Sequence, residues 1–183
     1  MIPRPTDTTR EALSTALDAA GHEERLTWLR SLSGKEEAAL YTLCAGTTLT
    51  VEEMHRGTGN VVIHEGWYSL PAFRSFQKRV TVHQDEVQGY NHQTFSFVTG
   101  PGHFRVRPSE DVPGEVWFDY VWEATSAPDA FPPPKSNTSG LSTLVYGHMI
   151  DIVRKVSDHV VIGRAIKKGK ETPNYFGLVR VDA

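Results

Sequence analysis

From about residue 60 onward the spacing of apolar residues changes from three or four to two, and it stays near two for most of the remaining chain. That switch is the strongest constraint this sequence places on its fold. Alternation marks 60–69, 76–84, 87–98, 102–107, 115–124, 142–156, 158–168 and 174–182 as strands. Turn residues separate them: Gln84–Asp85–Glu86, Gly100–Pro101–Gly102, Pro113–Gly114, Ser157–Asp158, and Gly169 to Pro173. Short connections point to antiparallel pairing, because a parallel crossover needs about a dozen residues or more. About eight such strands is the number at which a closed sheet either fills its interior or holds one small ligand.

Residues 7–56 keep the helical spacing. Asp7, Thr8 or Thr9 caps a segment that runs through Ala20 and stops at Gly21. Leu26, Leu29 and Leu32 mark a second helix. Ser33 with Glu36, and Thr50 with Glu53, have capping-box spacing and open two more. Helices this short make a poor core by themselves, so their apolar stripes must lie on the remainder of the chain. A chain of 183 residues can build one sizeable core, and we read it as one domain. It divides into a helical segment over 1–57 and a barrel over 58–183. The long connection 125–140 carries three consecutive prolines, which favour a stiff polyproline conformation and suggest a flap over an entrance.

The segment "LSTLVYGHMIDIVRKV" fits both periods. Leu141, Leu144, Val145, Ile152, Val153 and Val156 follow a helical stripe, whereas its β-branched content and Gly147 oppose a helix. From Ser142 onward the chain resembles the C-terminal part of the GXWXG-type family of bacterial proteins. Tyr146, Ile150–Asp151, Arg154–Lys155, Gly163, Gly169 and the closing Phe176, Leu178 and Arg180 carry the likeness. Gly57, Gly59 and Gly66–Trp67 do not reproduce the spacing of the signature that names the family. The resemblance covers about forty residues. It implies a lipocalin-like barrel with the ambiguous segment as a strand or broken strand, and it implies no particular chemistry.

The formal net charge of −3 argues against nucleic acid or a membrane as the partner of the whole surface. The single cysteine, Cys44, excludes an intrachain disulfide and reads as a small buried hydrophobe. The N-terminal stretch has no long apolar run of the secretory kind, which leads us to expect a cytoplasmic setting without a lipid partner. A homodimer is the base-rate expectation for the assembly.

None of the eight histidines pairs at metal-ligand spacing, so we assign no metal and no cofactor. No serine-nucleophile elbow and no phosphate-binding loop is present. The polar residues that alternate with aromatics on strands are the remaining candidates. We expect Tyr90, His92, Thr94 and Ser96 to face inward on strand 87–98. On strand 115–124 either Val116, Phe118, Tyr120 and Trp122 fill the barrel and leave Asp119 outside, or Trp117 and Asp119 face inward as part of the site. Tyr146, His148 and Arg164 complete the candidate ligand-binding set. The leading reading is a small, largely apolar molecule held in the barrel. The alternative is a cofactor-independent lyase, isomerase or cyclase, with His92 as base and Asp119 as its partner or the acid. Haem binding and a protein-interaction module are further alternatives.

Overall fold

The computed structural model describes residues 1–56, 61–69, 74–93 and 99–181. Eight strands close into one antiparallel barrel, in sequence order. They are β1 (Val62–Tyr68), β2 (Ser75–His83), β3 (Glu86–His92), β4 (His103–Pro108), β5 (Val116–Asp119), β6 (Met149–Lys155), β7 (Val160–Lys167) and β8 (Lys170–Arg180). Pairing of β1 with β8 closes the ring, from His64 opposite Arg180 to Tyr68 opposite Phe176. The expected α+β barrel with N-terminal helices packed on it is therefore the observed fold.

The helices begin where side-chain caps place them. They are α1 (Arg10–Ala19), α2 (His22–Arg30), α3 (Gly34–Leu43) and α4 (Val51–His55). Thr9 Oγ1 accepts the Ala12 N–H and opens α1. Full capping boxes open α3, from Ser33 and Glu36, and α4, from Thr50 and Glu53. α2 and α3 lie across β8 and its neighbours β1 and β7, so they cover the seam where the barrel closes. Their apolar stripes meet the outer wall in a layer that includes Leu13, Leu17, Leu29, Leu40, Ile162 and Val179, all fully buried. Cys44 belongs to this layer, and burial pushes its thiol up to about 12, which leaves it inert.

Directly opposed residues share a face of the sheet, so the register fixes the interior. Phe76, Lys78 and Val80 stand opposite Gly66, His64 and Val62 on one side. Lys78 and Val80 stand opposite Asn91 and Gly89 on the other. Phe104, Val106, Val116, Phe118, Val153, Phe176 and Leu178 complete the inner layer. At the end where β2 runs into β3, α4 plugs the barrel with Met54. There the buried His64 ring donates through Nε2 to the Met54 carbonyl at 2.8 Å. Burial holds His64 down to about 4, so this imidazole is neutral.

Large rings fit inside so narrow a barrel because glycines on neighbouring strands make room. The Phe104 ring lies on Gly89, where a Cβ would come within 2.4 Å of it, and the Phe176 ring lies on Gly163, where the distance would be 2.2 Å. The same arrangement joins Phe76 to its cross-strand partner Gly66. Gly163→Ala should therefore overpack the core and cost about 3 kcal/mol. A thermal midpoint within a degree of wild type would show that Phe176 has somewhere else to go.

Two segments differ from expectation. The segment 142–156 is helix first and strand second: α5 (Ser142–Val145) is followed by Tyr146 to His148 and then β6. His148 has a positive φ of 55°, and this break resets the period between the two. The proline-rich connection is a strap on the outer wall and not a flap over an entrance. Ser126 meets His83 Nε2 at 3.1 Å near the α4 end. The chain then returns, and Phe131 packs on Tyr90 with ring centroids 4.7 Å apart. Asn137 Nδ2 donates to the His103 carbonyl at 2.7 Å and the Tyr120 carbonyl at 2.9 Å. Among the described residues no helix is long and apolar enough to cross a membrane.

Candidate functional site

Lys78 sits at the centre of the barrel and is fully buried. β2 puts it there because it is in phase with Phe76 and Val80, whose side chains belong to the core. Its ammonium has three protons, and three oxygens accept them: Asp151 Oδ2 at 3.1 Å, Asn91 Oδ1 at 3.1 Å and the Tyr120 hydroxyl at 2.5 Å. Five aromatic rings surround the amine. Phe118, Phe104, Tyr120, Phe176 and Phe76 have centroids 4.7, 4.8, 5.0, 5.2 and 5.7 Å from Nζ. Asp151 reaches the cluster from β6, in phase with Met149 and the buried Val153.

Desolvation pulls the Lys78 amine below its ordinary pKa and pushes the Asp151 carboxyl above its own, while each charge opposes the shift of the other. Asn91 and Tyr120 tie the pair into the wall. Asn91 Nδ2 donates to the Gly102 carbonyl at 3.3 Å and to the Tyr120 hydroxyl oxygen at 2.9 Å.

Towards the end opposite α4, tyrosines take over from phenylalanines. Tyr146 stacks on Tyr120, with centroids 5.4 Å apart and planes 11° apart, and its hydroxyl accepts from Gln93 Nε2 at 2.8 Å. Tyr68 stacks on Phe76 at 4.0 Å. Burial pushes Tyr146 up to about 12 and raises Tyr68 and Tyr120 well above the ordinary phenol value, so all three remain donors at neutral pH. Tyr68, Gln93 and Met149 are half-buried, and they mark the side on which the cluster comes nearest to solvent. Apart from His64, the α4 end of the interior is apolar and filled by Val80, Val106, Val116, Val153 and Leu178.

Of the residues singled out from sequence, Tyr146 is in this interior and most of the others are on the outer wall. Tyr90 lies beneath the strap against Phe131. His92 is exposed at the end of β3, opposite Gln77. Asp119 accepts from Arg107 Nε at 2.9 Å and Arg105 at 3.4 Å, and it caps the N–H groups of Val121 and Trp122. Trp117 lies under Arg107, whose guanidinium carbon is 4.5 Å from its ring centroid. Arg164 pairs with Glu171 at 2.8 Å. His148 is exposed at the tyrosine end. Thr94 and Ser96 lie outside the described residues. The expected His92–Asp119 pair is not formed. Asp119 is opposite Arg105, which is opposite Gln88. His92 is therefore two strands away and about 13 Å further along.

The inward assignment failed on β3 because both faces of that strand are covered, the inner by the core and the outer by the strap. Sequence reasoning grouped Asp151 with Tyr146 and His148 but missed Lys78 and Asn91, and these three residues of the cluster, Lys78, Asn91 and Asp151, share one signal. Each is a polar residue standing in phase with the core-facing residues of its strand. Among the described residues no group of three His, Cys, Asp or Glu side chains is placed to hold a metal ion. The chain has no match among protein families, curated proteins or solved structures.

Proposed function

We propose that the barrel binds a small, largely apolar molecule at its tyrosine end, with a polar group of that molecule turned towards Tyr146, Gln93 and the Lys78–Asp151 pair. The observation that carries this reading is the buried ion pair. Apolar side chains of similar volume would fill the same space without the desolvation penalty of two charges, so stability alone does not account for it. Aromatic walls with a few convergent polar groups are the usual composition of a small-molecule site. A catalytic reading has one observation on its side, the lowered pKa of Lys78 beside a carboxyl and a phenol. All three N–H protons of Lys78 are donated to acceptors, so the group is an ammonium without the lone pair a nucleophile needs, and this favours binding.

Comparison of native and denatured masses tests the reading. The native protein should carry an added mass that denaturation releases. Titration with cis-parinaric acid, an apolar chain ending in a carboxylate, should saturate at one molecule per barrel. Tyr146→Phe should weaken that binding about fivefold by removing one hydroxyl, with the ring stack kept. Identical masses together with no parinarate uptake would remove small-molecule binding from consideration.

A further inference from the structure

The tyrosine end also carries the densest group of exposed apolar side chains among the described residues. Leu144 is 72% exposed, Leu141 53% and Val145 38%, within five consecutive positions. Leu144 and Val145 lie on α5 and Leu141 precedes it, and Tyr146, only two residues beyond Leu144, is 2% exposed inside the barrel. One short stretch therefore faces both the interior and the outside.

Lysines ring this tip. The β7–β8 turn brings Lys167, Lys168 and Lys170 to it: Lys167 Nζ donates to the Leu144 carbonyl, and the Lys168 N–H donates to the His148 carbonyl at 2.9 Å. Lys168 and Lys170 are exposed. Lys135 arrives from the strap and lies beside Gly100, where the Ser142 hydroxyl also sits. Of the nearby carboxylates, Glu171 pairs with Arg164 and Glu123 accepts from Ser136 beside Lys135, which leaves the lysines in excess.

We propose that this end of the barrel docks on an anionic lipid surface, with Leu141, Leu144 and Val145 entering the headgroup boundary and Lys135, Lys168 and Lys170 facing lipid phosphates. A convex tip of this size presents far fewer residues than the roughly 20–30 that a stable protein interface uses on each side. It suits a fluid surface, where a few apolar side chains insert and basic ones add attraction. The overall charge of −3 argued against such a partner, but the local charge at this end has the opposite sign. The inference rests on the ligand-binding reading for its purpose, since an apolar ligand would enter at the end that meets the lipid.

Sedimentation with vesicles tests it, using phosphatidylcholine alone and phosphatidylcholine mixed with phosphatidylglycerol. The protein should pellet with the mixed vesicles, and high salt should release it. Leu144→Ser, and separately the pair Lys168→Glu and Lys170→Glu, should each weaken pelleting about tenfold or more. All three side chains are exposed enough to change without disturbing the core, and unchanged thermal midpoints would show it. Failure to pellet with mixed vesicles, or equal pelleting of the variants, overturns the proposal. A dimer in sedimentation velocity that Leu144→Ser dissociates would also overturn it, by giving the patch to a second copy. The native mass of the same variants separates the two readings, because a retained ligand does not depend on vesicles.

Discussion

Lys78→Met will lower the stability of the barrel by about 3–5 kcal/mol, read as a fall in the denaturant midpoint at neutral pH. Met fills most of the volume, so the loss comes from what stays behind. Asp151 keeps a carboxyl in the interior with its cation gone, and Asn91 and Tyr120 lose a donor they share. The carboxyl will respond by taking up a proton, and the variant should recover part of its stability in acid. Lys78→Met combined with Asp151→Leu should return to wild-type stability or exceed it, since replacing a whole buried pair with apolar groups is neutral or stabilising in many proteins. Asn91 and Tyr120 still bond each other in that double variant. If the double variant is as unstable as the single one, the pair is holding the barrel together and the functional argument built on it collapses. If it is stable and has lost parinarate binding, the pair belongs to the site.

The second large effect lies under α3. Glu37 is fully buried, and among the described residues neither carboxyl oxygen has a hydrogen-bond partner. Burial pushes it up to about 8, against the pull of the nearby Arg74 charge. The unfolded chain releases this proton above the ordinary glutamate value of 4.5, whereas the folded protein keeps it until about 8. Stability therefore falls as pH rises through that window, by about 3 kcal/mol at pH 7. Glu37→Gln copies the protonated form and cannot ionise. It should match wild type at pH 4 and exceed it by about 2–3 kcal/mol at pH 7. An equal gap at both pH values would mean that packing, and not ionisation, separates the two proteins. His64 works in the opposite sense. Its folded pKa of about 4 lies below the ordinary histidine value of 6.5, so the unfolded chain gains a proton first and stability falls as pH drops through that interval. In the Gln variant this acid limb should stand out on its own.

The helical caps and the succession of eight strands were legible in the sequence because both are local, whereas the ends of β5, β6 and β8 fall elsewhere than the pattern put them. Ser33 and Glu36 close a capping box from their own spacing, and a period of two is visible without knowing the partner strand. The inward face was harder to read because it depends on what covers the outside. Tyr90 looks like a pocket residue until Phe131, forty-one positions later, is found lying on it. Asp119 looks like an unpaired buried acid until Arg107 is placed beside it by the β4–β5 register. Lys78 was passed over for a different reason. A lysine is almost never fully buried unless it is paired, and its partner Asp151 comes from β6, 73 positions away. The phase of Lys78 with Phe76 and Val80 was available in the sequence, but what would hold a charge there was not.

The seam under α2 and α3 also sets an order of events during synthesis. Leu29 rests on Gly177 of β8, and His22 reaches the Arg180 carbonyl across 158 positions of chain. These helices therefore leave the ribosome before most of the wall they cover, and that wall is complete only once β7 and β8 have followed β1. Until then Leu29 and Leu40 lack the surface that buries them. Closing the ring and seating the helices are one step, and it is a late one because contacts so distant in sequence form slowly. A ribosome-bound chain stopped before Tyr175 should be protease-sensitive along its whole length, including helices that were complete long before.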